Sequence, residues 1–467
     1  MATESHTGRR AQNDIRLTIA DINMLKEALV AAVAALAHLA AARDVFAHYM
    51  VQGLDGRTNH AVQDVIDARD MGIAAFALNV GQPSAGWATD AISQLFKAAK
   101  ANNFKLFFSL DLAQTKDAYA YSALLKDYAG HDAYYKAGPD KRPFLSTFSA
   151  QGTDANYWTS FLGSFGQTKF YFVPNFDNTP NYFDNPAKWM QDWGKAVDGA
   201  FTWETAWPRN SNTPSNVSAV QDESVLKAAH VSKKTYMMPL STLQYKHWSG
   251  QHWYRPGEVN MPQRMTEILD MGDRADFVEI LTWNDGGESH YIGTLRMEGI
   301  DKSMVEYANN DDYNHVAWQP VFASFIYAFN KNLKAGGMRP PVGKQFVGSM
   351  WYRAIKKDAS CQSDAAGRPS GAGAAQDAVN WAIVAADYGL ANLRLQIWSG
   401  GNLIRKVALQ PGLNYGSESG LATGPQYFEV IDTANNNKIV MSGKGRVDVK
   451  AQSTGYCNFN YVVAGLN

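Results

Sequence analysis

The chain has 467 residues, and its 43 Lys and Arg against 44 Asp and Glu give a formal net charge of −1. A chain so close to neutral lacks the basic excess needed to bind a nucleic-acid backbone, so we expect no nucleic-acid partner. With 46% hydrophobic and 12% aromatic residues, the composition is typical of a packed globular protein and excludes a disordered one. A single core rarely extends beyond roughly 250–300 residues, so the length predicts two domains.

Residues 24–42 have the pattern of a secretory signal peptide. Lys26 precedes an apolar run, and small residues near its end offer a cleavage point. Residues 1–23 would then be an N-terminal extension. Glu27 and His38 interrupt the pattern and leave an amphipathic helix as the alternative. The run is too Ala-rich for a bilayer span, so we predict a protein that is secreted or in a cell wall, with no membrane segment in its mature form.

Between residues 43 and 340, short apolar runs alternate with helix-like stretches. The predicted strands are Val45–Gln52, Ile73–Val80, Lys105–Leu112, Pro143–Ala150, Lys169–Phe176, Asp198–Glu204, Thr235–Leu243 and Phe277–Trp283. The predicted helices include His60–Met71, Ala88–Ala101, Thr115–Tyr128, Pro186–Val197, Pro262–Gly272 and Trp318–Leu333. Eight such units predict a (β/α)8 barrel. A doubly wound sheet is disfavoured because its Gly-rich phosphate turn is missing from the sequence.

From about residue 340 the pattern changes to short runs separated by turn residues. The predicted strands are Val379–Ala386, Leu393–Ser399, Leu403–Leu409, Tyr427–Asp432, Ile439–Ser442, Arg446–Ala451 and Cys457–Val463. Residues 341–467 are therefore predicted to form a smaller all-β domain, a sandwich. In a secreted protein, Cys361 and Cys457 would form one disulfide that ties the first segment of this domain to its last; otherwise they are two separate thiols.

Polar side chains follow nearly every predicted barrel strand, where the active sites of such barrels are built. They are His48, Asn79, Asp111, Asn175, Asp177, Glu204, Asp285 and Glu288. Any one of the carboxylates could instead cap a helix or a turn, and for Asp177 we favour that interpretation. For Asp111, Asp285 and Glu288, convergence on one rim favours a catalytic role.

Carboxylates flanked by tryptophans indicate sugar hydrolysis, in which one carboxyl protonates the leaving oxygen and another acts as base or nucleophile. The tryptophans near predicted strand ends are Trp87, Trp158, Trp203, Trp207, Trp248, Trp253 and Trp283. Packing in the core is the alternative for any of them. No serine-hydrolase motif follows a strand. His247 and His252 lie five residues apart without an acid in ligand spacing, so we expect neither a metal site nor a cofactor.

The segment after the eighth strand, VEILTWNDGGESHYIG at residues 278–293, resembles the hallmark of glycoside hydrolase family 71, the fungal α-1,3-glucanases or mutanases. Further similar segments are Phe46–Val51, Phe108–Asp111, Val173–Phe176, Trp203–Pro208 and Tyr236–Pro239. The resemblance runs from about residue 43 to residue 340 and continues less specifically into the β domain.

The resemblance implies a secreted enzyme of the glucan endo-1,3-α-glucosidase class that hydrolyses α-1,3-glucan with inversion, with endo or exo action left open. We expect it to be a monomer. Asp285 and Glu288 would be its catalytic carboxylates and Asp111 a further essential acid, with acid and base roles left open. The residues expected to bind substrate are His48, Asn79, Asn175, Glu204, Trp207, Trp283, His290 and Tyr291. The acid is expected to have a raised pKa next to an apolar group such as Trp283.

The sequence departs from the family pattern at two places near the expected cleft. Gly286 stands where the family usually has an aromatic residue, and residues 240–248 lack the usual Ser-Pro-Trp pattern. The alternative function is a cell-wall carbohydrate-binding protein with little or no catalysis. Retention of Asp285, Glu288 and Asp111 argues against that alternative.

Overall fold

The computed structural model describes residues 43–54, 58–150, 152–453 and 455–466. The predicted extension (1–23) and signal peptide (24–42) lie outside these residues. Residues 42–467 form one compact unit. Within the described part of the chain, no helix is long and apolar enough to cross a membrane.

The N-terminal two-thirds of this unit contains a curled sheet of mainly parallel strands. The strands up to residue 281 are β1 (Asp44–Met50), β2 (Ala75–Val80), β3 (Lys105–Asp111), β4 (Lys136–Ala137), β5 (Arg142–Phe148), β6 (Tyr171–Phe172), β7 (Gly199–Phe201), β8 (Thr235–Ser241), β9 (Gln244–Trp248), β10 (Gln251–Arg255) and β11 (Phe277–Leu281). The order across the curled sheet is β4-β5-β3-β2-β1-β11-β8-β7, with β6 beside β5. Only β4 runs antiparallel to its neighbour, while β9 and β10 form a separate hairpin.

Helices cover the outer face of this sheet. They are α1 (Thr58–Met71), α2 (Gly86–Ala101), α3 (Ser122–Tyr128), α4 (Ala155–Gly163), α5 (Pro186–Trp193), α6 (Val220–Val231), α7 (Asn260–Asp270) and α8 (Gln319–Asn330). Short 3-10 helices lie at Val51–Gly53, Ala118–Tyr121, Glu204–Ala206, Gly272–Arg274, Met297–Gly299, Val316–Trp318, Ala335–Gly337 and Ala372–Ala374. In α2, Ile92, Leu95 and Phe96 are buried at helical spacing, which explains why this amphipathic stretch packs on the sheet.

The mixed α/β architecture follows the predicted alternation, although the middle strands are shorter than predicted. All six residues of β2 are buried, as expected for a strand covered on both faces. By contrast, β6 is only two residues long, and Pro174, which follows it closely, cannot donate a ladder hydrogen bond. Backbone contacts nevertheless join the β6 segment to β7, because Asp198 N donates to Phe172 O at 2.8 Å and Phe201 N to Pro174 O at 3.0 Å.

The C-terminal region is all-β. Its strands are β12 (Phe346–Arg353), β13 (Ala378–Ala385), β14 (Leu393–Ser399), β15 (Asn402–Ala408), β16 (Gly412–Ser419), β17 (Gln426–Asp432), β18 (Lys438–Lys444) and β19 (Tyr461–Gly465). They form two antiparallel sheets in the orders β16-β13-β12-β19 and β15-β14-β17-β18. Strands β12 and β16 were not predicted, because the first is buried without polar alternation and the second is polar and Gly-rich. The strand predicted at 446–451 is absent from this region of the structure, where Val449 makes only an isolated bridge.

The two central strands of the first antiparallel sheet, β12 and β13, are buried on both faces. Met350 and Ile383 face the second sheet, whereas the adjacent Trp351 and Ala382 join the core of the curled-sheet region. Adjacent strand residues point to opposite faces, so one face of this sheet packs into each of the two hydrophobic cores. The two-domain boundary near residue 340 stays a prediction.

A disulfide links Cys361, which lies between β12 and β13, to Cys457, just before β19. The two Cα atoms are 5.4 Å apart. Nearby, Ser453 N donates to Ser360 O at 2.9 Å. The early and late segments of the β region are therefore joined both covalently and by hydrogen bonding.

Candidate active site

The loop that follows β11 is held at both ends by hydrogen bonds. Trp283 N donates to His48 O at 2.7 Å, and Asn284 exchanges two hydrogen bonds with the backbone of Met50. Asp285 N donates to Thr282 Oγ1 at 2.9 Å, while Asp285 Oδ1 accepts from Glu288 N at 3.0 Å. These contacts fix the loop against the end of β1 and set the two carboxylates on one turn.

Asp285, Glu288 and His290 form a compact ionic cluster. His290 Nε2 lies 3.5 Å from Asp285 Oδ2 and 3.4 Å from Glu288 Oε2. The imidazole is fully buried, whereas the two carboxylates are 17% and 21% exposed. One oxygen of each carboxylate lies within 4.8 Å of the other. The predicted catalytic pair and the predicted binding residue His290 are thus brought together.

A hairpin covers one side of this cluster. Strands β9 and β10 meet at Ser249 and Gly250, whose φ values of 57° and 71° fit a type I′ turn. From β9, Gln244 Nε2 donates to Glu288 Oε2 at 2.5 Å and Lys246 Nζ to Glu288 Oε1 at 3.1 Å. Glu288 therefore has a cation or an amide on each oxygen.

The pKa values of Glu288 and His290 are shifted in opposite directions. Burial opposes ionisation of Glu288, but His290, Lys246 and Gln244 outweigh it and lower the pKa of Glu288 to about 2. Burial likewise opposes charge on His290, yet its contacts with the two carboxylates raise its pKa to about 9. Over the neutral pH range, Glu288 is therefore an ionised carboxylate and His290 an imidazolium.

Arg255 on β10 extends the network to Glu204. Its Nη2 lies 3.0 Å from Glu204 Oε2, its Nη1 donates to Gln244 Oε1 at 3.3 Å, and its guanidinium lies over the Trp207 ring at 5.1 Å. Glu204 is 57% exposed, and the rings of His290 and Trp207 pack edge to face with centroids 5.3 Å apart. The predicted residues Glu204 and Trp207 thus belong to the surroundings of Glu288.

His48, Asn79 and Asp111 are buried at the ends of three neighbouring strands. His48 Nδ1 lies 2.6 Å from Glu279 Oε1, and its ring packs on Trp203 at 4.9 Å. Burial raises the pKa of Asp111. The hydrogen bonds that its Oδ1 accepts from the backbone N–H groups of the next turn lower the pKa, but by less. The Glu279 carboxyl, which the sequence reasoning did not single out, has its pKa raised by burial.

The side chains of Asn175 and Asp177 hydrogen-bond to backbone groups rather than facing open space. Asn175 accepts from Ser149 N at 3.2 Å and donates to Phe201 O at 3.3 Å. Asp177 Oδ2 accepts from the backbone N–H groups of Trp203 and Glu204 at 2.7 and 2.9 Å, so it holds the segment after the next strand rather than capping its own turn. The side-chain amide of Asn175, which was predicted to bind substrate, thus joins the ends of neighbouring strands.

Trp283 and Tyr291 lie in the core. Both are fully buried; the Trp283 ring packs on Phe76 and the Tyr291 ring stacks on His315 at 4.0 Å. Neither ring has a face open to a sugar, which corrects the expectation that both bind substrate. The expected raised pKa beside Trp283 is also corrected for Glu288, whose pKa is lowered by its polar neighbours.

Gly286, where the sequence departs from the family pattern, is closely surrounded. A Cβ there would lie 3.2 Å from Ile300 Cδ1 and 3.4 Å from Leu295 Cδ1. These two aliphatic side chains occupy space that a larger residue at 286 would need, so the local packing fits glycine.

Three residues around Glu288 were not predicted: Gln244 and Lys246 contact its carboxylate, and Arg255 contacts Gln244. The signal was present: Ser249-Gly250, a turn dipeptide, separates two five-residue runs that each contain Tyr and Trp, a pattern typical of a hairpin. Cross-strand pairing then places Lys246 opposite Trp253 on one face, with Nζ 4.9 Å from that ring.

Replacing His290 by Gln tests the ionic cluster through pH. His290 is the largest favourable influence on the Glu288 charge, so its removal is expected to raise the pKa of Glu288 from about 2 toward its ordinary value. Any activity that needs ionised Glu288 would then be lost at a higher pH, moving the acid limb of its kcat/KM profile upward by at least one pH unit. An acid limb that stays in place would contradict this electrostatic assignment.

A pair of neighbouring, partly exposed carboxylates is the arrangement that glycoside hydrolases use. The sequence profile of glycosyl hydrolase family 71 matches residues 41–467, and the chain belongs to that family. The resemblance drawn from the eighth-strand segment is thereby confirmed.

Several named relatives cover most of the chain. A mutanase of Penicillium rubens is 31% identical over 428 residues, which cover 90% of this chain and 88% of that protein. A glucan endo-1,3-alpha-glucosidase of Schizosaccharomyces pombe is 29% identical, over 72% of this chain and 76% of that protein. An ascus wall endo-1,3-alpha-glucanase of the same yeast is 22% identical, over 91% and 97%.

Proposed function

We propose that this protein hydrolyses α-1,3-glucan with Asp285 and Glu288 as its catalytic pair. The observation that carries the proposal is the cluster of two partly exposed carboxylates around His290, on the hallmark segment of the family. The names of the relatives supply the substrate class. We place the protein outside the cell or in a fungal wall, in keeping with its disulfide and with the relative named for the ascus wall.

The proposal includes a complete (β/α)8 barrel as the scaffold. Its eight parallel strands would be β1, β2, β3, β5, β6, β7, β8 and β11. Support comes from the backbone hydrogen bonds between the β6 segment and β7, together with the parallel bridge between Asn175 and Phe201. In such a barrel Asp285 and Glu288 lie on the carboxyl rim, where catalytic residues belong.

In the proposed mechanism Glu288 is the base. A general acid must carry a proton at the working pH, and a pKa of about 2 leaves Glu288 ionised. His290, charged up to about pH 9, would pass its proton to Asp285 across 3.5 Å, and Asp285 would deliver it to the glycosidic oxygen. Glu288 would take a proton from the attacking water and return it to His290 across 3.4 Å.

Inversion requires the two carboxylates to separate. An inverting pair is spaced by roughly 6.5–9.5 Å, and a retaining pair by about 5–5.5 Å. Oxygens of Asp285 and Glu288 now lie within 4.8 Å. Lys246 and Gln244 anchor Glu288. We therefore propose that the Asp285 side chain rotates away from Glu288 when the sugar binds.

The sugar chain is proposed to stack on the hairpin. Trp248 is 38% exposed, and Trp253 is partly exposed on the same face as Lys246. These rings lie beside Lys246, whose Nζ contacts Glu288, whereas Trp207 is almost wholly covered. Aromatic faces cover the C–H faces of pyranoses, so the hairpin would bind the glucose units beside the cleaved bond.

The test is a panel of insoluble polysaccharides. Release of reducing sugar is expected from α-1,3-glucan and to be at least a hundredfold slower from β-1,3-glucan and α-1,4-glucan. If the protein sediments with α-1,3-glucan and releases nothing, it is a binding protein and the proposal is wrong.

A further inference from the structure

The face of the β9–β10 hairpin that points away from Glu288 has its own polar cluster. His247 and His252 are directly opposed across the hairpin, with ring centroids 4.1 Å apart. Asp364 meets them from the β region, with both carboxylate oxygens 2.9 Å from His247 Nε2. One ligand atom from each of these three residues lies within 4.8 Å of the others.

Asp364 is held firmly in this position. Its Oδ2 accepts from Cys457 N at 2.9 Å, and its Oδ1 accepts from Ala366 N at 3.0 Å. The Cys361–Cys457 disulfide fixes the loop on which it lies, and its carboxylate is 1% exposed. The cluster therefore has a rigid carboxylate rather than a surface acid that rotates freely.

His252 is the unexplained member. Both of its ring nitrogens are shielded from solvent, and neither makes a hydrogen bond of normal geometry with the part of the chain that the structure describes. Buried polar atoms without partners cost free energy, so each such group calls for an explanation. An ion bound beside His247 would supply the missing partner for one of these nitrogens.

We propose that His247, His252 and Asp364 bind a divalent cation of the zinc type. Two imidazoles and a carboxylate are a donor set that zinc prefers, usually completed by a fourth ligand such as water. Zinc bonds of about 2.0–2.2 Å place tetrahedral ligand atoms roughly 3.4 Å apart, so small side-chain rotations bring the three donors into range. The ion would join the hairpin to the disulfide-linked loop.

This proposal reverses an expectation from the sequence. His247 and His252 lack an acid at ligand spacing, but Asp364, 117 residues from His247, reaches them through the fold. The proposed role is structural: the ion fixes the outer face of the hairpin whose inner face holds Lys246 and Gln244 against Glu288.

The test is zinc binding by the untagged, disulfide-intact protein after treatment with a chelator. Titration calorimetry with zinc chloride is expected to show one site per chain with a dissociation constant of micromolar or tighter. His252→Ala and Asp364→Asn are each expected to weaken binding at least tenfold. Zinc should raise the Tm of the wild type by several degrees and leave the Tm of the His252→Ala protein unchanged.

The matched control is Glu288→Gln, which alters the other cluster able to take a cation. It should keep wild-type zinc affinity, and far-UV circular dichroism establishes that each variant is folded. Absence of saturable binding, or loss of binding in Glu288→Gln with retention in folded His252→Ala, would overturn the proposal. Neither result bears on hydrolysis, so the proposed function is tested separately.

Discussion

Asp285→Asn and Glu288→Gln are each expected to lower kcat on α-1,3-glucan about a thousandfold. General acid or base groups contribute about 10²–10⁴ in rate, and each substitution removes a titratable group while keeping its shape. Binding to the insoluble polymer should remain, because neither change removes an aromatic ring. The measurement is initial rates of reducing-end formation, with the surface variant Glu223→Gln as control.

The two variants should differ with an α-1,3-gluco-oligosaccharyl fluoride, whose leaving group needs no proton. The expected result is recovery of most of the activity in Asp285→Asn and none in Glu288→Gln, because only loss of the acid is bypassed. Recovery in Glu288→Gln alone would mean that Glu288 is the acid and Asp285 the base. Activity within tenfold of wild type in either variant on the polymer would refute the catalytic assignment.

Asp222→Ala is expected to destabilise the protein by about 3–5 kcal/mol. Asp222 and Arg264 form a two-point ion pair at 2.8 Å, and both side chains are fully buried. Asp222 also accepts from Thr205 Oγ1 and from Tyr236 OH at 2.8 and 2.7 Å. Removing the carboxylate takes away both short ionic contacts of the buried guanidinium and leaves only Glu267, 3.5 Å from its Nη1, as a counter-charge. Breaking a buried pair by removing one partner is strongly destabilising.

The measurement is the free energy of unfolding in urea. The control is Asp192→Ala, which removes a surface pair with Lys188, where the side chains are 45% and 49% exposed. Exposed pairs contribute about 0–1 kcal/mol, so the control should unfold close to the wild type. Equal midpoints for the two variants would contradict the importance of the buried pair. Since Thr205 lies between Trp203 and Trp207, loss of activity at sub-denaturing urea is also expected in Asp222→Ala.

Much of the scaffold could be predicted from local sequence patterns. The apolar runs of β2 and β3 and the amphipathic α2 obey simple burial rules, and the turn after β11 carries its carboxylates in a recognisable motif. The predicted stacking residue Trp283 failed because periodicity shows that a ring lies near a strand end but not which way it points. Its burial against Phe76 depends on packing between strands.

The neighbours that set the chemistry could not be placed in the same way. The pKa of Glu288 depends on Lys246, which reaches it through a hairpin 42 residues earlier in the chain. Asp364 reaches His247 across an even longer separation, through a loop held by a disulfide. Contacts of this kind are tertiary, so neither spacing nor composition reveals them.

The most direct test is a proton NMR time course of the protein acting on α-1,3-glucan. We expect soluble α-1,3-linked gluco-oligosaccharides whose new reducing ends appear first as the β anomer and then mutarotate, with no such signal from Glu288→Gln. Products formed first as the α anomer would contradict the inverting mechanism. The absence of soluble products, with the protein bound to the polymer, would contradict hydrolysis itself.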